Sequence, residues 1–136
     1  MNISDFPAEH IAKMQGGVPI EDFESDGCTR VRDRVLDDQG REVCVYLACL
    51  FHDWHYHLGT TGEDAAPVGT EEARQRADDV FHANMLALGA SLEFAFIYHR
   101  GVRVFGAFGR SKGFQYQPKR AVLVRLWYSI KAVFLG

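Results

Sequence analysis

The stretch Arg41–Leu58 constrains the fold more than any other part of the chain. Val43, Val45, Tyr46, Leu47, Ala48, Leu50, Phe51, Trp54 and Leu58 make it apolar on nearly every side, and eighteen residues are too many for an ordinary strand. It reads as a helix buried all round, ended by Gly59. Yet it carries His52-Asp53-Trp54-His55-Tyr56-His57, the densest polar cluster in the chain. A charged aspartate in such a segment is costly unless a metal or a basic partner compensates it.

The other elements follow from local signals. Residues 1–40 are polar and mixed in sign, so they read as loops with at most a short helix, and Asp37-Asp38-Gln39-Gly40 reads as a turn. Thr60–Gly69 holds Gly62 and Pro67 and is a loop. Thr70 is placed to cap a second helix, with Glu71 and Glu72 in its first turn and an apolar stripe of Ala73, Ala77, Phe81, Met85 and Leu88. Gly89 ends it, and Ser91 caps a third helix that runs through Phe94, Ile97, Tyr98, Val102 and Phe105 to Gly106. A loop rich in Gly, Arg and Lys leads to Pro118, and a fourth helix is expected from about Arg120 to Leu135. The fold class is mainly α, with two long helices antiparallel across the loop at 60–69.

Helical spacing then brings chemistry together. His52 and Tyr56 are four apart and share a face; Cys49 and Asp53 are four apart on the neighbouring face, about 100° round. If the first two long helices pack antiparallel, Asp78 reaches His52 and Tyr56. That arrangement gives a general base whose tautomer an aspartate fixes. Upstream, in Asp26-Gly27-Cys28-Thr29, a bridge or close contact between Cys28 and Cys49 would bring Asp26 and the Gly27 carbonyl up to Asp53. Two carboxylates with backbone carbonyls are hard oxygen ligands and suit calcium better than zinc. Zinc on His52, Asp53 and His55 is a weaker alternative, because no finger spacing supports it. His55 and His57 read as surface or rim residues, Cys44 as a buried thiol and Asp79 as solvated.

Asp26-Gly27-Cys28-Thr29, followed by Ala48-Cys49-Leu50-Phe51-His52-Asp53-Trp54-His55-Tyr56, resembles the secreted bacterial and fungal phospholipase A2 family. Asp78-Asp79-Val80-Phe81 matches that family's Asp-x-x-Phe helix. Tyr98-His99-Arg100-Gly101-Val102-Arg103-Val104-Phe105-Gly106 matches the end of its third helix. The resemblance covers about residues 25–106, and the family's second disulfide has no counterpart. The Asp-Gly-x-Thr and His-Asp-Trp-x-Tyr pieces are also similar to small uncharacterised phage proteins.

The resemblance implies a phospholipase A2-like domain over 1–106 and a C-terminal extension over 107–136. It implies His52 as the base that activates water, Asp78 as its orienting carboxylate and Tyr56 as a supporting hydroxyl. Asp26, the Gly27 carbonyl and Asp53 become calcium ligands, and Cys28–Cys49 a loop-to-helix disulfide. The implied function is a calcium-dependent lipid esterase acting on phospholipid. The alternative is a phage virion structural or assembly protein built on the same fold, with other virion subunits as partners.

Charge adds one more expectation. Residues 1–99 sum to −11, whereas residues 100–136 hold eight basic residues and no acidic one. With Trp127, Tyr128 and Phe134 in the last helix, that terminal third suits an anionic membrane or neighbouring subunits. It has no recognised nucleic-acid motif, so nucleic acid is not an expected partner. No apolar run is long enough to span a bilayer. The first twenty residues, with Asp5 and Glu9, carry no secretory signal, so the expected location is host cytoplasm or virion.

Overall fold

The structure is a computed structural model that describes residues 2–25, 27–28, 32–63, 66–107, 114–115, 130–131 and 133–134. Its element order is a 3₁₀ turn (Ile3–Asp5), α1 (Ala8–Lys13), β1 (Arg34–Leu36), β2 (Glu42–Cys44), α2 (Tyr46–Leu58), α3 (Glu71–Ala87) and α4 (Leu92–Ala107). The chain is mainly helical, as its pattern predicts, and among the described residues the strands form one two-stranded antiparallel hairpin.

That hairpin corrects the sequence reading at one place. The apolar stretch does not enter its helix at Arg41. Residues 42–44 pair as a strand with 34–36, in the register Arg34↔Cys44, Val35↔Val43, Leu36↔Glu42. The turn at 37–40 is as expected, with the Asp37 carboxylate accepting from the N–H groups of Gln39 and Arg41 and Gly40 at φ +77°. Only after Val45, whose N–H donates to the Asp33 carbonyl, does α2 begin.

Short-range chemistry sets the helix ends. Thr70 Oγ1 accepts from Ala73 N at 3.2 Å, and Ser91 Oγ accepts from Phe94 N at 3.2 Å. Gly59 closes α2 in the left-handed conformation at φ +73°.

Helix α2 is apolar all round because it is covered on two sides. One side packs Ala48 and Cys49 with Phe81 and Met85 of α3, Val35 of the hairpin and Ala95 and Tyr98 of α4. The other side, Leu47, Leu50 and Phe51, is covered by Ile3, Phe6, Ile11 and Met14 of the N-terminal segment. Each large apolar side chain buried this way contributes roughly 1.5–3 kcal/mol. Along α2 the partners on α3 run in reverse, His52 against Phe81 and Tyr56 against Arg74, so the two helices are antiparallel.

Two further expectations are corrected. Cys44 is exposed, because the last residue of β2 turns its side chain away from the core that Val35 enters. His55 is fully buried, because the loop at Gly16-Gly17 folds over it and the Gly17 carbonyl lies 3.0 Å from its Nε2. A side chain at Gly16 would stand 2.3 Å from the His55 ring. The expected fourth helix lies outside the described residues, apart from Ile130, Lys131, Val133 and Phe134, which have helical backbone.

Candidate active site

Helices α2 and α3 bring three of the predicted residues into one buried cluster. His52 Nε2 lies 2.9 Å from Asp78 Oδ1, and Tyr56 Oη donates to the same oxygen at 2.6 Å. A carboxylate only accepts, so Nε2 carries a proton, and in the neutral ring Nδ1 keeps the lone pair. The His52 ring packs against Tyr56 and Phe81, with centroids at 4.2 and 4.7 Å, which fixes its plane.

Asp78 is completely buried, and its second oxygen is held by two arginines to which the sequence reading gave no role. Arg74 Nη1 donates to Oδ2 at 3.0 Å and Arg103 Nε at 3.2 Å. Arg74 lies wholly inside, with Nε on Glu71 Oε1 at 2.6 Å and Nη1 also 3.3 Å from Tyr56 Oη and from the Arg103 carbonyl. Arg103 extends the network outward to Asp79 at 2.8 Å, where His99 also sits at 2.9 Å. Asp79 is therefore exposed, as expected, but ion-paired.

The electrostatics follow from these partners. Burial alone would push Asp78 up, but hydrogen bonding and charge from His52, the Arg74 guanidinium and the Tyr56 hydroxyl outweigh it and hold the carboxyl below its usual range. Burial, reinforced by Asp78, pushes the Tyr56 hydroxyl well above the usual phenol, so it stays a donor. Burial would pull Arg74 down, but Tyr56, Asp78 and Glu71 raise it instead. The cluster is thus a charged carboxylate with its proton donors in place.

On the neighbouring stripe of α2, Cys49 is disulfide-bonded to Cys28, with their Cα atoms 5.2 Å apart. One turn on, Asp53 Oδ2 accepts a hydrogen bond from Ser25 Oγ. Ser25 is a site residue the sequence reading passed over. Its hydroxyl also accepts from Gly27 N at 3.0 Å, and its carbonyl accepts from Tyr46 Oη at 3.0 Å. Gly27 has φ +74°, and a Cβ there would stand 2.5 Å from the Tyr46 ring, so the turn needs glycine. The loop is therefore pinned against α2 by a disulfide and two hydrogen bonds, with a third inside the loop. Asp26 lies outside the described residues.

A cavity of about 320 Å³ opens on this side, lined by Phe23, Ser25, Asp53, Tyr56, His57 and Gln115 among others. Phe23 packs edge-on to Trp54 at 5.0 Å and beside His57 at 5.6 Å, giving the cavity an aromatic wall. His57 is exposed at its rim, as expected. His52 is not on the wall itself; the lining reaches it through Tyr56 and Asp53. Among the described residues no group of three His, Cys, Asp or Glu side chains is placed to hold a metal ion, so neither the calcium nor the zinc expectation gains support from them.

No family model, curated protein or solved structure matches this chain.

Proposed function

We propose that the chain is a phospholipase A2-like, calcium-dependent lipid esterase in which His52 activates a water. The observation that carries this reading is the buried Asp78 carboxylate that holds His52 by Nε2 and takes the Tyr56 hydroxyl on the same oxygen. In this reading His52 Nδ1 takes a proton from water as the oxygen attacks the sn-2 ester carbonyl. Asp78 keeps the ring in the required tautomer and stabilises the imidazolium. The imidazolium then returns the proton to the departing alkoxide. Tyr56 keeps the shared oxygen doubly hydrogen-bonded, so the carboxylate cannot rotate away.

For the metal, the donor chemistry fits. Asp53 faces a loop held to its own helix, and the group that loop places on it is the Ser25 hydroxyl, an oxygen. Asp53, the Gly27 carbonyl and Asp26 would hold calcium, which would polarise the ester carbonyl and stabilise the oxyanion. Phospholipid is the substrate class in this reading, and a phage source agrees with the second resemblance.

The test is hydrolysis of phospholipid in mixed micelles with calcium present. The unmodified chain should release fatty acid, and His52→Ala should lower the rate by ~10²–10⁴-fold with its helical content unchanged. Equal rates for variant and parent would exclude His52 as the base. No hydrolysis by the parent would favour the alternative, a virion structural or assembly protein. In that case the Arg74–Asp78–Arg103 network serves only to neutralise charge in the core.

A further inference from the structure

The esterase reading leaves one apolar face unused. Ile130, Val133 and Phe134 have helical backbone, and a spacing of three and four puts them on one side. All three face solvent, with exposures of 49%, 52% and 78%. Apolar side chains grouped in this way on a surface mark a place that something covers.

Charge indicates what that is. From residue 107 to the last the sequence has six basic residues and no acidic one, leaving aside Arg103, which is paired with Asp78 and Asp79. An apolar stripe within a wholly cationic stretch complements both layers of an anionic bilayer surface, acyl chains for the stripe and phosphates for the cations. A second copy, whose residues 1–99 sum to −11, would also answer the cations, so dimerisation is kept as an outcome of the test.

We propose that the Ile130–Val133–Phe134 face is an interfacial anchor that lays the chain onto an anionic lipid surface. It lies on that surface and does not cross it: among the described residues no helix is long and apolar enough to span a membrane. The proposal goes beyond the esterase reading and stands whether or not His52 acts on an ester.

Sedimentation with vesicles tests it, using phosphatidylcholine alone and an equal mixture with phosphatidylglycerol. A chelator removes calcium, so that neither bridging by the metal nor catalysis enters the result. The full chain should bind the anionic vesicles about ten-fold or more tightly than the neutral ones. Binding should weaken as salt rises from about 0.1 M to about 1 M, where the screening length falls from ~10 Å to ~3 Å. The triple variant Ile130→Ser, Val133→Ser, Phe134→Ser should lose about ten-fold or more while its circular dichroism stays that of the parent. If the triple variant does not fold, Phe134→Ser alone replaces it, because that side chain is the most exposed of the three. Three results would overturn the proposal: equal binding to neutral vesicles, a folded variant that binds like the parent, or dimerisation through the same three residues by a chain that ignores vesicles.

Discussion

Arg74 sits one helical turn before Asp78 and donates to its Oδ2 at 3.0 Å, so the carboxylate that orients His52 is itself held from its own helix. Removing Arg74 would take the buried guanidinium away from two buried carboxylates, leaving Arg103 as the arginine on Asp78, a loss of about 3–5 kcal/mol. Urea unfolding of Arg74→Met should show an unfolding free energy lowered by that amount. Arg74→Lys should recover only part of it, because one ammonium cannot reach Glu71, Asp78 and the Arg103 carbonyl from the directions a planar guanidinium offers. A variant as stable as the parent would show that the network contributes little.

The depressed acidity of Asp78 predicts the pH dependence of stability. Its carboxyl is held below the ordinary 3.8 in the folded chain, so the folded state binds this proton less readily than the unfolded state does. The contribution is fully present above about pH 5, a little above the unfolded value, and is lost as pH falls through the folded pKa. Stability measured by urea midpoint should therefore fall steadily below about pH 4. Asp37, held down by the backbone N–H of Arg41 and partly opposed by desolvation, adds a contribution of the same sign. Comparison with Asp78→Asn isolates the buried group: the variant should have a shallower acid slope, and an unchanged slope would locate the acid lability elsewhere.

Helix ends were legible in the sequence because caps are local. Thr70, Ser91 and Gly59 act within a turn of themselves, and all three end or begin helices as read. The start of α2 was not legible. Val43 and Val45 continue an apolar run whether they pair as a strand or coil as a helix, and the deciding partner, Arg34–Leu36, is remote. The His52–Asp78 pairing was readable because it needs only two periodicities and one antiparallel packing. Arg74 and Arg103 were missed because arginines are ordinarily exposed. Only the i, i+4 spacing of Arg74 and Asp78 hinted at the pair, and nothing near Arg103 announced that it crosses from α4. His55 was misjudged for the same reason: Gly16 and Gly17, which cover it, lie almost forty residues away.

Reducing the Cys28–Cys49 bridge should cost stability. It closes a loop of 21 residues, and loops of that size are worth about 3 kcal/mol. Thermal unfolding with and without a thiol reductant should separate by several degrees, with Cys49→Ser matching the reduced parent. Coincident curves would mean that the hydrogen bonds of Ser25 and Gly27 hold the loop alone.

Calcium should raise the thermal midpoint, because the folded loop offers oxygen donors that the unfolded chain does not hold together. Asp53→Asn should erase most of that shift while leaving the calcium-free midpoint within about 1 kcal/mol of the parent, since Asn can still accept from Ser25. Removing the metal with a chelator should return the parent to its original midpoint. A parent midpoint unmoved by millimolar calcium would argue that the loop binds no cation.

Gly16 offers a stability test far from the proposed chemistry. It has φ +88°, and a Cβ would meet the buried His55 ring at 2.3 Å. Gly16→Ala combines backbone strain with overpacking and should destabilise by roughly 2–4 kcal/mol, measured by urea unfolding. A neutral substitution would show that the loop can move off His55.

The two stripes of α2 have a consequence for descent. His52 and Tyr56 look toward Asp78, while Cys49 and Asp53 look toward the loop at Ser25–Cys28. The hydrogen bonds of one stripe and the disulfide and hydrogen bond of the other run to different residues, although Phe81 packs near both, so substitutions in one leave the other's polar contacts standing. A lineage can therefore discard the loop-side pair and keep His52 and Asp78, or do the reverse, without losing the helix. Relatives of this chain should divide along that line, and the half each retains will show which inherited task was still under selection.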